Sequence, residues 1–179
     1  RTLSDPSDPS YQSDAPARII YGVSTGTLDD GLARAIEAGT PLVSKRLESL
    51  HWLQDHGYRT FGMICPSLPQ ADYDQFARNL ATALRYDRCE HVWAEVMNVR
   101  GDSFTRTRDA LRQAGFEREA GVLSSCFRPK TGWWENYARA TFLAHADVVP
   151  AGKLRFLQYV TKDSRPWWEN RRQRGAILL

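Results

Sequence analysis

The feature that most constrains this chain is a regular alternation of short apolar runs and longer segments of helical spacing over residues 18–101. Three runs have the length of buried strands: Ile19–Ser24, Thr60–Cys65 and His91–Met97. Three helices are predicted between them: Leu28–Ala38, Pro41–His56 and Ala71–Tyr86. Strands that alternate with helices favour parallel pairing and right-handed connections. The residues therefore predict an α/β fold, as half of a (β/α) barrel or as a small open sheet.

The segments on either side of this βαβαβ unit differ from it in composition. Residues 1–17 are rich in Ser, Asp and Pro, and we expect them to be a flexible lead or linker. Residues 102–179 are predicted to be a helical tail with one or two further strands. The predicted elements of this tail are helices Ser103–Ala114, Glu117–Ser125, Thr131–Ala146 and Pro166–Arg174, strand Leu154–Thr161, and an apolar end, Ala176–Leu179.

Composition excludes several classes of protein. A hydrophobic content of 42% and a charged content of 25% over 179 residues are ordinary for a globular domain. No apolar run approaches the ~20 residues of a membrane span, so no membrane partner is expected. Three widely spaced cysteines, an odd number, argue against a disulfide framework and indicate a reducing, cytoplasmic location. The net charge of +3 is weak support for an anionic partner.

A candidate ligand-binding edge lies where the first predicted strand ends. Ser24, Thr25, Gly26 and Thr27 stand together there, and Thr27 has the spacing to cap the next helix. Ligands of parallel α/β proteins bind at the carboxyl ends of strands. Arg46, on the second helix, carries the guanidinium fork that binds a carboxylate with two parallel N–H bonds. The alternative is that Ser24 bonds to backbone at the strand exit and that Arg46 is a solvated helix residue.

The residues around this edge resemble a known family. Residues 23–30 read Val-Ser-Thr-Gly-Thr-Leu-Asp-Asp, residues 35–41 read Ala-Ile-Glu-Ala-Gly-Thr-Pro, and Arg46-Leu and Pro66-Ser-Leu-Pro follow. In this order they resemble the mid-barrel segment of radical S-adenosylmethionine enzymes, most of all the spore-photoproduct-lyase-like branch. The resemblance covers residues 18 to 100 and implies a partial (β/α) barrel with parallel strands. The Cys-x3-Cys-x2-Cys motif that holds the family's [4Fe–4S] cluster is absent.

The resemblance also implies an activity and its site. A reduced cluster would cleave S-adenosylmethionine, and the 5′-deoxyadenosyl radical would abstract hydrogen from a substrate, in nucleic-acid repair or modification. Ser24 and Arg46 would hold the methionyl carboxylate of the cofactor, and Thr25 would lie beside them. Since the chain begins with Arg, we expect it to be a carboxyl-terminal portion, with the cluster ligands in an upstream segment. The isolated chain is then expected to be inactive.

Three further residues are candidates for the same site. Glu95 shares one face of its strand with His91 and Trp93, and either binds a ribose hydroxyl or substrate group or forms a salt bridge with Arg100 or another arginine. Asn98 lies at the exit of that strand. Cys65 ends the second strand and is either a hydrogen-atom donor, a nucleophile or a small buried apolar residue.

Two other functions fit parts of the sequence. The aromatic pairs Trp133-Trp134 and Trp167-Trp168 stand among arginines and suit a non-catalytic nucleic-acid-binding module, or else they anchor the tail helices. The neighbouring basic residues are Arg128, Lys130, Arg139, Arg165, Arg171, Arg172 and Arg174. Gly22-Val-Ser-Thr-Gly26 approximates a Gly-x-Ser-x-Gly nucleophile elbow, for which His145 would be the base.

Overall fold

The structure, a computed structural model, describes residues 19–98, 102–127 and 132–179. Its strands are β1 (Tyr21–Ser24), β2 (Thr60–Ser67), β3 (Cys89–Val96), β4 (Leu154–Gln158) and β5 (Ala176–Leu178). Its helices are α1 (Asp30–Ile36), α2 (Val43–Asp55), α3 (Tyr73–Leu84), α4 (Ser103–Gln113), α5 (Glu117–Cys126), α6 (Trp133–Val148) and α7 (Arg165–Glu169), with a 3₁₀ turn at Arg172–Arg174.

The described strands form one open sheet in the order β1-β2-β3-β4-β5, and every neighbouring pair is parallel. The predicted α/β class with parallel strands is therefore confirmed. The sheet runs across the predicted boundary between residues 101 and 102, because β4 pairs with β3. β5 pairs with β4 where the sequence indicated only an apolar end. Consecutive strands are neighbours; α2 contacts β1 and β2, and α6 contacts β3 and β4.

The two faces of the sheet are buried to different degrees. On the face that the helices cover, Ile64, Val92, Ala94 and Phe156 are fully buried. Alternate residues point to the opposite face, where the side chains are only half-buried. We call this opposite side the open face; it consists of Ser24, Phe61, Met63, Cys65, His91, Trp93, Glu95, Arg155 and Leu157.

The first two helices begin later than predicted. The backbone N–H of Leu32 donates to Asp29 Oδ1 at 2.9 Å, so Asp29, and not Thr27, caps α1. Thr27 is used earlier, because its hydroxyl accepts a hydrogen bond from the backbone N–H of Asp29 in a tight turn. α2 begins at Val43, beyond Pro41, and Asp30 accepts hydrogen bonds from Ser44 at its start. Asp30 therefore ties α1 to α2.

Helix α6 holds the exits of two strands together. The Tyr137 hydroxyl donates to the carbonyl of Ser67, the last residue of β2. It accepts from the backbone N–H of Met97, just after β3, at 2.9 Å. Trp134 Nε1 donates to the Met97 carbonyl at 3.0 Å. These bonds satisfy backbone groups that would otherwise be left unpaired where the strands end. No helix of the described residues has the length and apolar character needed to cross a bilayer.

Candidate functional site

The carboxyl end of the open face brings side chains of four strands into register. Ser24 aligns with Met63, Met63 with Trp93, and Trp93 with Arg155. One layer further toward the carboxyl edge, Cys65 and Glu95 lie on the neighbouring strands β2 and β3. This edge therefore carries a hydroxyl, a thiol and a carboxylate beside apolar and aromatic side chains.

The loop after β1 is fixed by its own threonines and by contact with the last residues of β2. The buried Thr25 hydroxyl donates to the Thr27 carbonyl and accepts from the Thr27 backbone N–H. A Cβ on Gly26 would lie 2.4 Å from the carbonyl oxygen of Pro66 in β2, so only glycine allows the loop to approach the strand this closely. The Thr25 hydroxyl is consequently used within the turn.

Arg46 reaches from α2 to the carboxyl end of β1. Its Nη1 donates to the backbone carbonyl of Ser24 at 2.5 Å. Its Nη2 lies 2.7 Å from Glu37 Oε2, with the Arg46 side chain 15% exposed. Nη2 and Nε are nevertheless buried without a hydrogen bond of good geometry to any described residue. Arg46 is therefore a largely buried cation at the backbone of Ser24, ion-paired with Glu37, and its Nε has no hydrogen bond to a described residue.

Cys65 and Glu95 form a thiol–carboxylate pair on the open face. Cys65 Sγ donates to Glu95 Oε2 at 3.2 Å. Burial of the thiol and the neighbouring Glu95 carboxylate raise the pKa of Cys65 to about 12. At neutral pH the sulfur therefore keeps its proton. Asn98 lies two residues beyond β3 and is half-buried, while Arg100, the alternative partner of Glu95, lies outside the described residues.

The structure does not bring Ser24 and His145 together. Ser24 ends the edge strand β1, whereas His145 is fully buried on α6, which packs against β3 and β4 from the covered side. Burial lowers the pKa of His145 to about 4, and its Nδ1 has no hydrogen-bond partner among the described residues. The arrangement needed for a serine nucleophile and its histidine base is not present in this part of the chain.

The tryptophans of the carboxyl-terminal part mostly serve packing. Trp168 is fully buried against Phe142 and Phe156, and its Nε1 donates to Glu135 Oε1 at 2.8 Å. Trp167 lies between Arg139 and Arg171, whose guanidinium carbons are 4.7 and 3.5 Å from its ring centroid.

The arginines of the same part mostly have carboxylate partners. The ion pairs are Arg139–Glu135, Arg165–Glu169, Arg172–Glu169 and Arg174–Asp147. Arg128 and Lys130 lie outside the described residues. Trp133 differs from Trp134, Trp167 and Trp168, since 47% of it is exposed.

The donor set of the described residues does not fit an iron–sulfur cluster. Such a cluster needs converging thiolates. Cys65 lies on the open face, Cys89 donates to the Leu84 carbonyl on the covered face, and Cys126 ends α5; all three are free. No three His, Cys, Asp or Glu residues in the described ranges are arranged to hold a metal ion.

Sequence reasoning missed the role of Glu37. This residue follows α1 and meets Arg46 through a contact between two helices, which spacing along the chain does not reveal. Its one visible signal was an acidic residue just before the Gly39–Pro41 turn. Comparison of the chain with protein-family models, with curated proteins and with solved structures finds no match.

Proposed function

We propose that this chain is a portion of a radical S-adenosylmethionine enzyme, similar to the spore-photoproduct-lyase-like family, and that it binds the cofactor's methionyl carboxylate at the carboxyl end of β1. The sheet would be part of a (β/α) barrel whose remaining strand or strands belong to another segment. Support for this comes from the order of the strands, because consecutive parallel neighbours with helices on one face are the arrangement of a barrel wall.

The observation that carries the proposal is the Arg46 guanidinium. Arg46 Nε is buried without a hydrogen bond to any described residue, which costs free energy, and an anion at that edge of the guanidinium would supply the missing partner. A carboxylate fits this geometry, because it can accept from two guanidinium N–H groups at once. Ser24, in the adjoining layer of the open face, would supply a hydroxyl to the same ligand. Thr25 would act through the shape of its turn, since its hydroxyl is already used.

When bound to a reduced cluster, S-adenosylmethionine supplies a 5′-deoxyadenosyl radical that abstracts hydrogen. The residues of this chain would hold and shield the reactants. Glu95 and Asn98 would offer polar contacts to the ribose or to the substrate. Cys65 keeps a proton at Sγ, which is the state that a hydrogen-atom donor needs and that a nucleophile does not.

The cluster itself would be held by residues outside the described part of the chain, in an upstream segment that serves as the partner. Iron–sulfur reconstitution of the isolated chain is therefore expected to leave no stoichiometric cluster, measured as iron and sulfide content and as visible absorbance. A stoichiometric cluster on the chain would contradict the proposal that the cluster ligands lie in an upstream segment.

The nucleic-acid-binding alternative has less support. Of the four tryptophans that suggested it, Trp168 is in the core and Trp134 is bonded to the backbone of Met97. A salt titration of binding to single-stranded DNA distinguishes the two functions. A nucleic-acid-binding module predicts an affinity that falls steeply with salt, because phosphate neutralisation carries it, and that Arg46→Gln leaves unchanged.

The proposed site is tested by ligand-detected NMR with S-adenosylmethionine and with its decarboxylated analogue. We expect the chain to bind S-adenosylmethionine about tenfold more tightly, because a charge-assisted pair contributes roughly 1.5–3 kcal/mol. Arg46→Gln should abolish this preference. Lys45→Gln is the matched control, because Lys45 is an exposed neighbour on α2 paired with Glu48.

The outcome against the proposal is equal affinity for both ligands in the wild-type chain, or a preference that Arg46→Gln leaves intact. Ser24→Ala provides a second variant, in case Arg46→Gln perturbs the pairing with Glu37. It should weaken binding of S-adenosylmethionine while leaving the circular-dichroism spectrum and Tm unchanged.

A further inference from the structure

A cavity lies between α3, α5 and α6, on the side of the sheet that the helices cover. Its volume is about 740 Å³, within the range of small-molecule sites. Two helices contribute stripes of the same spacing. α5 contributes Arg118, Gly121, Val122 and Ser125, and α6 contributes Trp133, Asn136, Tyr137 and Ala140. Residues spaced by three and four share a helix face, so the two stripes face each other across the cavity.

The floor of this cavity is aromatic and apolar. Tyr73 of α3 and Tyr137 of α6 have ring centroids 6.4 Å apart at a tilt of 35°. The Tyr137 hydroxyl is already bonded to Ser67 and Met97, so the ring is what it presents to the cavity. Gly121 widens the space, because a Cβ placed on it meets no atom within 4 Å. The cavity therefore has room for a ring beside two tyrosines.

The charge at the cavity is positive. Among the residues that line it, Arg118 is the one with a formal charge; Gln70, Ser125 and Asn136 are neutral. No carboxylate of the described residues forms an ion pair with Arg118, unlike Arg139 and Arg172, which pair with Glu135 and Glu169. Glu119, the next residue, lines a separate depression of about 230 Å³ that Arg118 also borders. Arg118 is thus a cation at the mouth of an apolar cavity.

We infer that this cavity binds a small aromatic molecule carrying one anionic group, with its ring against Tyr73 and Tyr137 and its anion on Arg118. An aromatic ring gains from burial beside other rings, and the guanidinium supplies a charge-assisted hydrogen bond to a carboxylate, sulfonate or phosphate. This site goes beyond the proposed cofactor function. It lies on the covered side of the sheet, and neither Ser24 nor Arg46 of the proposed cofactor site lines it.

The test uses two fluorescent probes, 1-anilinonaphthalene-8-sulfonate and the uncharged N-phenyl-1-naphthylamine, titrated into the full chain. The wild-type chain should bind both and prefer the sulfonate. Arg118→Gln should weaken binding of the sulfonate about tenfold, the scale of one charge-assisted hydrogen bond, and leave the neutral probe unaffected. Arg106→Gln is the matched control, because Arg106 is an exposed arginine on the neighbouring α4.

Gly121→Leu fills the cavity at a helical position, where leucine is better tolerated than glycine. It should abolish binding of both probes without lowering Tm. If both probes bind this variant as they bind the wild type, they lie elsewhere, such as on the open face, and the inference is overturned. If Arg118→Gln leaves the sulfonate preference intact, the assignment of an anionic ligand is overturned.

Discussion

The covered and open faces of the same sheet differ in how deeply their side chains are buried and in how polar they are. Along β2, Ile64 is fully buried beneath the helices, while Met63, the residue before it, is half-buried on the open face. The covered face is filled with apolar side chains that pack against one another. The open face mixes Phe61, Trp93 and Leu157 with the thiol and the carboxylate of the candidate site. Folding free energy should therefore come mainly from the covered face, and chemistry from the open one.

The largest expected effect is a difference between two adjacent substitutions on β2. Ile64→Ala removes a side chain with no exposure and should lower the free energy of unfolding by about 2–5 kcal/mol. Met63→Ala removes a half-buried side chain and should cost about 1 kcal/mol or less. Urea unfolding followed by circular dichroism measures both. Equal losses would mean that the open face is packed as tightly as the covered one.

The next effect is a dependence of stability on pH that arises on the covered side. The pKa of His145 is about 4 in the folded chain and about 6.5 when unfolded. The unfolded state therefore binds more protons between these values, and stability falls as the pH drops below 6.5, by up to about 3 kcal/mol near pH 4. Urea titrations between pH 7 and pH 4.5 should show this fall.

His145→Gln stays neutral over this range and should flatten the pH dependence. His91→Gln is the comparison on the open face. Burial, more than the charge of Arg155, lowers the pKa of His91, but its ring is only half-buried. His91→Gln should therefore change the slope of stability against pH less than His145→Gln does. A wild-type chain whose stability is flat from pH 7 to 4.5 would be incompatible with a neutral, buried His145.

A smaller and purely local effect concerns the thiol on the open face. With its pKa raised to about 12 from 9.0, Cys65 should alkylate with iodoacetamide at pH 8 about a thousandfold more slowly than an unperturbed cysteine. Mass spectrometry of the Cys65 peptide gives the rate. Glu95→Gln should accelerate the reaction only in part, since burial is the larger cause of the shift. Rapid alkylation of the wild type would remove the argument for a protonated thiol.

The smallest effect is expected where neither face is involved. Arg59 and Glu90 pair at the amino ends of β2 and β3, with their side chains 39% and 37% exposed. Such an exposed pair is screened by water and salt, so Arg59→Gln should shift the urea midpoint slightly and lose even that shift in high salt. A loss comparable to that of Ile64→Ala would show that this end of the sheet is more tightly coupled to the core than its exposure indicates.

The predicted elements that agree with the structure are those set by local periodicity. The alternation along β3 correctly assigned Val92, Ala94 and Val96 to the buried side and His91, Trp93 and Glu95 to the other. The boundary of α1 was wrong because Thr27 and Asp29 both have capping side chains, and only the turn geometry selects between them. β5 was missed because three residues, Ala176–Leu178, are too few for a periodic signal.

The contacts that the sequence could not reveal are those between distant residues. The Tyr137 hydroxyl donates a hydrogen bond to the carbonyl of Ser67, seventy positions away. Trp168 Nε1, on α7, donates a hydrogen bond to Glu135 on α6. The sequence left both aromatic pairs open to base stacking, since an aromatic residue beside arginines looks the same whether it anchors a helix or faces a ligand. In the candidate site, Ser24 and Arg46 were predicted from their spacing and the family resemblance, and they stay a prediction. Glu37, which shares the guanidinium, depends on how α1 meets α2.

The most direct test of the account is a ¹H–¹⁵N correlation spectrum of the chain titrated with S-adenosylmethionine. If the cofactor binds at the carboxyl end of β1, amide shifts should concentrate around Ser24–Thr27, Cys65–Ser67 and Glu95–Asn98. These shifts should be strongly reduced in Arg46→Gln. Shifts confined to the cavity between α3, α5 and α6, or no shifts at millimolar cofactor, would contradict the account.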